Sequence, residues 1–78
     1  MEHRPLNEIA HEISRDWQKV NYAAVPYLEA MFSLNQITDS YGFESGKSIV
    51  LYFLGNARTW KGDKAKAIKA ELKKIAGV

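Results

Sequence analysis

The sequence predicts an all-α protein, a compact bundle of four or five short helices in a single domain that spans residues 1–78. Three observations lead to this prediction. Apolar residues recur at intervals of three and four near both ends of the chain, the spacing that places them on one face of a helix. Glycine and proline separate these stretches where helices begin or end. The longest apolar run, residues 49–54, is too apolar for the surface of so short a chain and predicts the centre of the core.

The first helix is predicted over residues 5–20. Pro5 suits its first turn, because first-turn amides have no acceptor within the helix. Polar and charged residues fill the face opposite the apolar one. The predicted apolar stripe consists of Leu6, Ile9, Ala10, Ile13, Trp17 and Val20.

Pro26 predicts the start of a second helix, which is expected to run to about Ser33. Residues 33–36 then have the spacing of a capping box, which predicts a break and a short helix from Leu34 to Tyr41. Gly42 is expected to end that helix in the left-handed conformation. One uninterrupted helix up to Tyr41 is the alternative, although it would place the apolar residues on two faces.

Ser45 is expected to cap a third helix, from Gly46 to about Arg58. Its apolar residues, together with Trp60, would form the broad surface of a central helix. The alternative is an α+β fold with a β-hairpin over residues 49–61, because Ile, Val, Tyr and Phe also favour strands. The helix is favoured, since a lone two-stranded hairpin is only marginally stable and the neighbouring segments have helical patterns.

Gly62 interrupts the chain again before a last helix. Asp63 is expected to cap this helix, which is predicted over residues 64–76, and Gly77 is expected to end it. Every third or fourth position of the segment is apolar, which indicates one buried face. The residues of that face are Ala65, Ile68, Leu72, Ile75 and Ala76.

The composition excludes several classes of protein. The chain has no cysteine, so it has neither a disulfide nor a thiolate zinc site. No run approaches the ~20 apolar residues of a membrane-spanning helix, and the first residues lack the apolar region of a signal peptide. We therefore expect a cytoplasmic protein without a membrane partner.

Charge is distributed unevenly along the chain. Residues 1–57 carry four basic and seven acidic side chains, a net charge of −3, whereas residues 58–78 carry seven basic and two acidic ones, a net charge of +5. This asymmetry indicates either an anionic partner at the basic end or attraction between the two ends, within one chain or between two.

Three segments resemble short uncharacterised proteins encoded by phages and prophages of Gram-positive bacteria. They are Asn-Tyr-Ala-Ala-Val-Pro-Tyr-Leu-Glu-Ala-Met (21–31), Ser-Ile-Val-Leu-Tyr-Phe-Leu-Gly-Asn-Ala-Arg-Thr-Trp-Lys-Gly (48–62) and Ala-Ile-Lys-Ala-Glu-Leu-Lys (67–73). The resemblance includes no catalytic motif and supplies no site residues. It implies a small cytoplasmic accessory protein of a mobile element, a kind of protein that more often binds and modulates than catalyses.

Two groups of residues partly match the sequence spacing of a known kind of chemical site. Residues 42–48 resemble a phosphate-binding loop, but three residues instead of four separate the glycines, and the segment follows no buried strand. Glu8, His11 and Glu12 have metal-ligand spacing, but they lie opposite the apolar stripe on a face expected to be solvated. With two histidines and no Ser-His-acid set, the sequence predicts no enzyme, no metal and no cofactor.

The basic end is the principal candidate for function. Three lysines recur at i, i+3 and i+7 on the last helix, and three further residues lie just before it. Such a stripe can follow phosphates, while the last helix lacks the Arg, Asn or Gln that would read base edges. The pair of helices around Gly62 also resembles a helix-turn-helix, and a solubilising lysine face is the alternative. The residues concerned are Arg58, Trp60, Lys61, Lys66, Lys69 and Lys73.

Two functional hypotheses follow. The first is a non-enzymatic phage or prophage accessory protein that binds and modulates a host or phage protein through a surface containing Tyr52, Trp60 and Lys73, because aromatic residues with a polar tip are favoured at interfaces. The second is a nucleic-acid-binding accessory protein that uses the basic residues with little sequence specificity. A homodimer is a further expectation, in which the acidic first helix of one copy meets the basic last helix of the other.

Overall fold

The computed structural model describes residues 4–78. These residues form four helices and one small β-hairpin, so the predicted helical bundle is confirmed. The alternative hairpin at 49–61 is wrong, because residues 49–54 lie within the third helix. The elements are α1 (Leu6–Asp16), α2 (Val25–Phe32), β1 (Ser40–Tyr41), β2 (Glu44–Ser45), α3 (Gly46–Gly55) and α4 (Asp63–Ala76).

α3 lies at the centre of the bundle and packs against both α2 and α4. Ile49, Val50 and Phe53 are buried, as the apolar run predicted, whereas Leu51 and Tyr52 of the same run are exposed. The ring of Phe53 meets two tryptophans edge-on, with centroid distances of 6.1 Å to Trp17 and 6.5 Å to Trp60. The two tryptophans stack on each other at 5.6 Å, with 10° between their planes. These aromatic rings join the end of α1, α3 and the chain before α4 in one core.

The stripes predicted for the two outer helices are buried. Every apolar position predicted for α4 lies in the core, and so do the stripe residues of α1 from Leu6 to Trp17. α1 nevertheless ends at Asp16 and not at Val20. The backbone of Trp17 leaves the helical conformation, with φ −93° and ψ 89°, and its ring stacks on Trp60. A tertiary contact thus ends the helix before its sequence pattern does.

The helix predicted from Leu34 to Tyr41 is wrong. The carboxylate of Asp39 accepts hydrogen bonds of 3.0 Å from the amides of Asn35 and Gln36, which holds the segment in turns. β1 and β2 then pair in antiparallel register, Ser40 with Ser45 and Tyr41 with Glu44. Gly42 has the expected left-handed conformation, φ +63°, but it lies in the turn of this hairpin.

The caps of α3 and α4 follow the prediction in part. Ser45 caps α3, since its Oγ accepts a hydrogen bond from the Ser48 amide. α3 ends at Gly55, three residues before the predicted Arg58. Asp63 is the first residue of α4, and Gly62, at φ +113°, holds the cap position without a side-chain bond. Gly77 ends α4 in the left-handed conformation, as predicted.

The acidic and basic parts of the chain meet within one molecule. Arg4 forms a bidentate pair with Glu71 of α4, at 2.7 and 2.9 Å, and also contacts Glu12 of α1 at 2.8 Å. Lys64 of α4 contacts the other carboxylate oxygen of Glu12 at 2.8 Å. These bonds, Lys64 first, lower the pKa of Glu12 to about 2. The pair of Glu12 with Lys64 joins an acid of residues 1–57 to a base of residues 58–78, as attraction within the chain requires, while attraction between two copies stays a prediction.

None of the helices within residues 4–78 combines the length and apolar character needed to cross a membrane.

Candidate functional site

The connection between α3 and α4 is anchored by two buried residues. Ala57 and Trp60 lie in the core, and the Trp60 amide donates a 3.1 Å hydrogen bond to the Ala57 carbonyl. Arg58, Thr59 and Lys61 remain exposed between and after them. The connection is therefore fixed at two points and presents Arg58 and Lys61 to solvent.

Trp60 lies inside the protein and not at its surface. Its side chain is 2% exposed, stacked on Trp17, and its Nε1 donates a 2.8 Å hydrogen bond to Oδ2 of Asp16. The expectation that Trp60 supplies an interface ring is contradicted by this burial. Its indole N–H finds a partner within the chain, which satisfies the polar tip that suggested an interface.

Lys69 links α4 to the same connection. Its Nζ donates a 2.6 Å hydrogen bond to the backbone carbonyl of Trp60 and lies 5.8 Å from the centroid of the Trp60 ring. Burial lowers the pKa of Lys69, and the charges of Lys61 and Lys73 lower it further. The positive groups are thus close enough to repel one another.

Four of the predicted basic residues converge on one shallow depression of about 460 Å³, called here the basic depression. Its acidic member, Asp63, is the first residue of α4. Within residues 4–78, the ion pairs are those of Arg4 and Lys64 with Glu8, Glu12 and Glu71, so no cation of the depression is paired. The lining consists of Arg58, Trp60, Lys61, Gly62, Asp63, Lys66 and Lys69.

The two remaining predicted residues lie outside this lining. Lys73 follows Lys69 by one helical turn and is exposed, so it extends the positive surface along α4. Tyr52 lies toward α2, where its ring meets that of Tyr27 at 5.4 Å, and its side chain is 53% exposed. Tyr52, Trp60 and Lys73 therefore do not form the single surface that the sequence predicted.

Two exposed aromatic residues were not among the predicted site residues. Phe43 is fully exposed in the hairpin turn, and Tyr22 is 87% exposed in the turn before α2. Each occupies a turn with a local signal, since Phe43 follows Gly42 and Tyr22 follows Asn21. That signal marks a turn, but the exposure of the ring depends on the tertiary packing around it.

The connection between α3 and α4 differs from a helix-turn-helix. Ala57, before the connection's turn, and Ile68 of α4 are both buried. However, residues 56–62 separate the two helices, and this is longer than the three- or four-residue turn of that motif. The resemblance to a helix-turn-helix therefore does not extend to its geometry.

The other two groups of residues have a different geometry from the one that their spacing suggested. Residues 40–45 form the hairpin, and Gly46 opens α3, so the Gly-Lys-Ser is the start of a helix. Glu12 forms ion pairs with Arg4 and Lys64, and the His11 ring packs edge-on against the Phe32 ring with 4.7 Å between the centroids. Across residues 4–78, no three His, Cys, Asp or Glu side chains are grouped so that they could hold a metal ion.

Comparisons with protein-family models, with curated proteins and with solved structures find no match to this chain. Its function is therefore inferred from the placement and chemistry of its own residues.

Proposed function

We propose that this protein is a non-enzymatic accessory protein whose basic depression binds the phosphates of a nucleic acid. The observation that supports the proposal is the convergence of Arg58, Lys61, Lys66 and Lys69 without acidic partners among residues 4–78. Like charges held together repel each other, and a polyanion that enters the depression relieves this repulsion. The release of counterions from the nucleic acid adds to the affinity.

Binding of this kind has little sequence specificity. α4 carries only lysines as basic residues and has no Arg, Asn or Gln. Bidentate contacts to adenine come from Asn or Gln, so the helix has no side chain for reading adenine, and its lysines are also the residues that contact phosphates. Phosphate contacts position a protein on nucleic acid without identifying the sequence.

The cellular setting is also part of the proposal. The resemblance to short phage and prophage proteins favours a protein made in the cytoplasm of a bacterial host, where phage and host nucleic acids are accessible. We place the protein there as an accessory factor that coats or modulates nucleic acid and catalyses no reaction on it.

Fluorescence polarisation with labelled 15-nucleotide DNA, as single strand and as duplex, tests the proposal. With about four phosphates neutralised, log Kd is expected to rise with log salt with a slope of about 3. Lys61→Glu combined with Lys66→Glu is expected to abolish binding at 50 mM salt. Lys47→Glu combined with Lys74→Glu has the same net charge change and is the control, because neither residue lines the depression. Equal loss in both double variants would contradict a localised site.

A second candidate function, binding of a host or phage protein, is supported by the hairpin. Phe43 projects fully exposed from a turn whose base is fixed, since the Gly46 amide donates a 2.7 Å hydrogen bond to the Asp39 carbonyl. An exposed aromatic residue on a fixed turn loses less backbone entropy on binding than one on a free segment, and aromatic residues are typical interface anchors. Tyr41 on β1 is also half-exposed, which enlarges the apolar area.

A pull-down from host lysate distinguishes this candidate from the first. Nuclease treatment and ~0.5 M salt remove nucleic acid and screen surface charges. Protein binding through the hairpin would be supported by a partner that stays bound after both treatments. The Phe43→Ser variant should fail to recover this partner, and the Lys61→Glu with Lys66→Glu variant should still recover it. Light scattering at high micromolar concentration tests the predicted homodimer, which a monomeric mass would contradict.

A further inference from the structure

Tyr22 is held in a defined position at the end of α3. Its neighbour Asn21 accepts a 3.2 Å hydrogen bond from the Ala23 amide and donates one of 3.2 Å to the carbonyl of Asn56. Asn56 is itself fixed, because its side chain donates a 2.9 Å hydrogen bond to the Tyr52 carbonyl. The backbone of Tyr22 is therefore tied to the residue that closes α3, while its side chain is 87% exposed.

This position limits the distance between Tyr22 and the basic depression. Arg58, which lines the depression, follows Asn56 by two residues. Bond lengths and the Asn21–Asn56 hydrogen bond limit the distance between the Cα atoms of Tyr22 and Arg58 to at most about 20 Å. A single strand of a few nucleotides covers such a distance, so one ligand can contact the cations and the tyrosine ring together.

We propose that Tyr22 stacks on an unpaired base and that the protein binds single-stranded nucleic acid in preference to duplex. This inference rests on the proposed function and specifies its ligand. An exposed aromatic ring and a positively charged groove that one strand can contact together are the combination by which proteins bind single strands of any sequence. In a duplex the bases stack on one another, so the Tyr22 ring has no base face to contact.

The rest of the connection also favours a single strand. A helix that reads a duplex enters the major groove with side chains suited to base edges, and α4 has no Arg, Asn or Gln for that purpose. The seven-residue connection also departs from the helix-turn-helix that would present α4 to the groove.

The other strongly exposed ring, Phe43, precedes the start of α3, a helix of 10 residues and hence about 15 Å long. Phe43 is thus a matched control at the opposite end of that helix.

The test measures affinity for a labelled 15-mer of thymidine and for a 15-base-pair duplex, with wild type, Tyr22→Ala, Tyr22→Trp and Phe43→Ala. Wild type is expected to bind the single strand more tightly. Tyr22→Ala is expected to weaken single-strand binding about 5- to 100-fold, the loss of one stacked base, and to leave duplex binding unchanged. Tyr22→Trp is expected to retain the affinity, and Phe43→Ala to match wild type. The salt slope of Tyr22→Ala is expected to stay near the wild-type value, since the phosphate contacts remain.

Three outcomes would overturn the inference. Unchanged single-strand affinity in Tyr22→Ala, or equal losses on single strand and duplex, would remove the stacking role. If the salt slope and the Lys61→Glu with Lys66→Glu result still held, the proposed function would stand without it. Failure of wild type to bind either oligonucleotide at 50 mM salt would overturn both. Because Tyr22 is exposed, its variants are expected to fold as wild type does, which circular dichroism checks.

Discussion

Lys69 donates a 2.6 Å hydrogen bond from its Nζ to the carbonyl oxygen of Trp60 and lies against the ring of the same residue. The neighbouring Lys66 is exposed and makes no such bond among the described residues. Two lysines of one predicted stripe therefore differ, since Lys69 positions the α3–α4 connection while it adds charge to the basic depression, and Lys66 is held by no such bond.

Lys69→Met is expected to destabilise the protein by about 1 kcal/mol, because it removes a charge-assisted hydrogen bond in a partly exposed position. Lys66→Met is expected to change the free energy of unfolding by less than about 0.5 kcal/mol. Urea denaturation followed by circular dichroism measures both. Equal effects of the two substitutions would show that the bond to Trp60 contributes nothing to stability.

Trp60→Ala is expected to cost about 3–5 kcal/mol, because it leaves a cavity between Trp17 and Phe53. In a domain of this size such a loss is comparable to the whole stability. Asp16→Ala removes only the acceptor of the indole N–H and is expected to cost about 1–2 kcal/mol. Thermal denaturation distinguishes the two, and a mild effect of Trp60→Ala would contradict the buried position of the ring.

Gly46→Ala is expected to destabilise the protein by about 1–3 kcal/mol. A Cβ at this position would lie 2.6 Å from the Ile37 carbonyl oxygen and 3.1 Å from that of Asp39, and both are backbone atoms that cannot move freely. Gly55, in the same helix, has no atom within 4 Å of such a Cβ.

Gly55→Ala is therefore the control, and it is expected to stabilise the protein by about 0.5–1 kcal/mol through helix propensity. Urea midpoints that shift in opposite directions would support the contact at Gly46. Shifts of the same sign would contradict it.

Acid is expected to weaken the contact between α1 and α4 through Glu12. Its pKa is lowered from 4.5 to about 2 by Lys64 first and then by Arg4. A carboxylate whose pKa is lower in the folded state stabilises the protein above its unfolded pKa, and that contribution is lost as pH falls. Stability is thus expected to fall between pH 4.5 and pH 2, and Glu12→Gln to flatten this part of the profile. Denaturation of wild type and Glu12→Gln at pH 7, 4 and 2.5 measures how the free energy of unfolding of each depends on pH. Parallel pH profiles of the two proteins would refute the role of Glu12.

The helices that the sequence predicted well are those whose apolar spacing matches their burial. The stripe from Leu6 to Ile13, the core-facing residues Ile49, Val50 and Phe53 of α3 and the stripe of α4 are all buried. In these segments the local pattern and the tertiary packing require the same conformation, so the apolar spacing alone is sufficient to predict the helix and its buried face.

The errors arose where a distant or a side-chain contact decides the conformation. α1 ends early because Trp17 stacks on Trp60, 43 residues later in the chain. Residues 34–39 form turns because the Asp39 carboxylate accepts bonds from two preceding amides. Neither contact has a periodic signal, so hydrophobic spacing could not reveal it.

The candidate site was predicted in its charges and missed in its aromatic residues. Arg58, Lys61, Lys66 and Lys69 converge because they flank one connection, and proximity in sequence was enough to predict this. Trp60 was assigned to the surface because nothing in the sequence shows that Asp16 satisfies its N–H. Tyr22 was missed because its position depends on the Asn21–Asn56 bond between distant segments.

The stack of Trp17 on Trp60 gives the protein a built-in optical reporter. The chain contains two tryptophans, and they form one face-to-face pair. Ultraviolet emission and near-ultraviolet dichroism therefore come mainly from a single locus. Trp60 also lines the basic depression, so a ligand bound there would alter this signal without any attached dye. Titration of unlabelled oligonucleotide against tryptophan emission would follow occupancy of the depression in the unmodified protein.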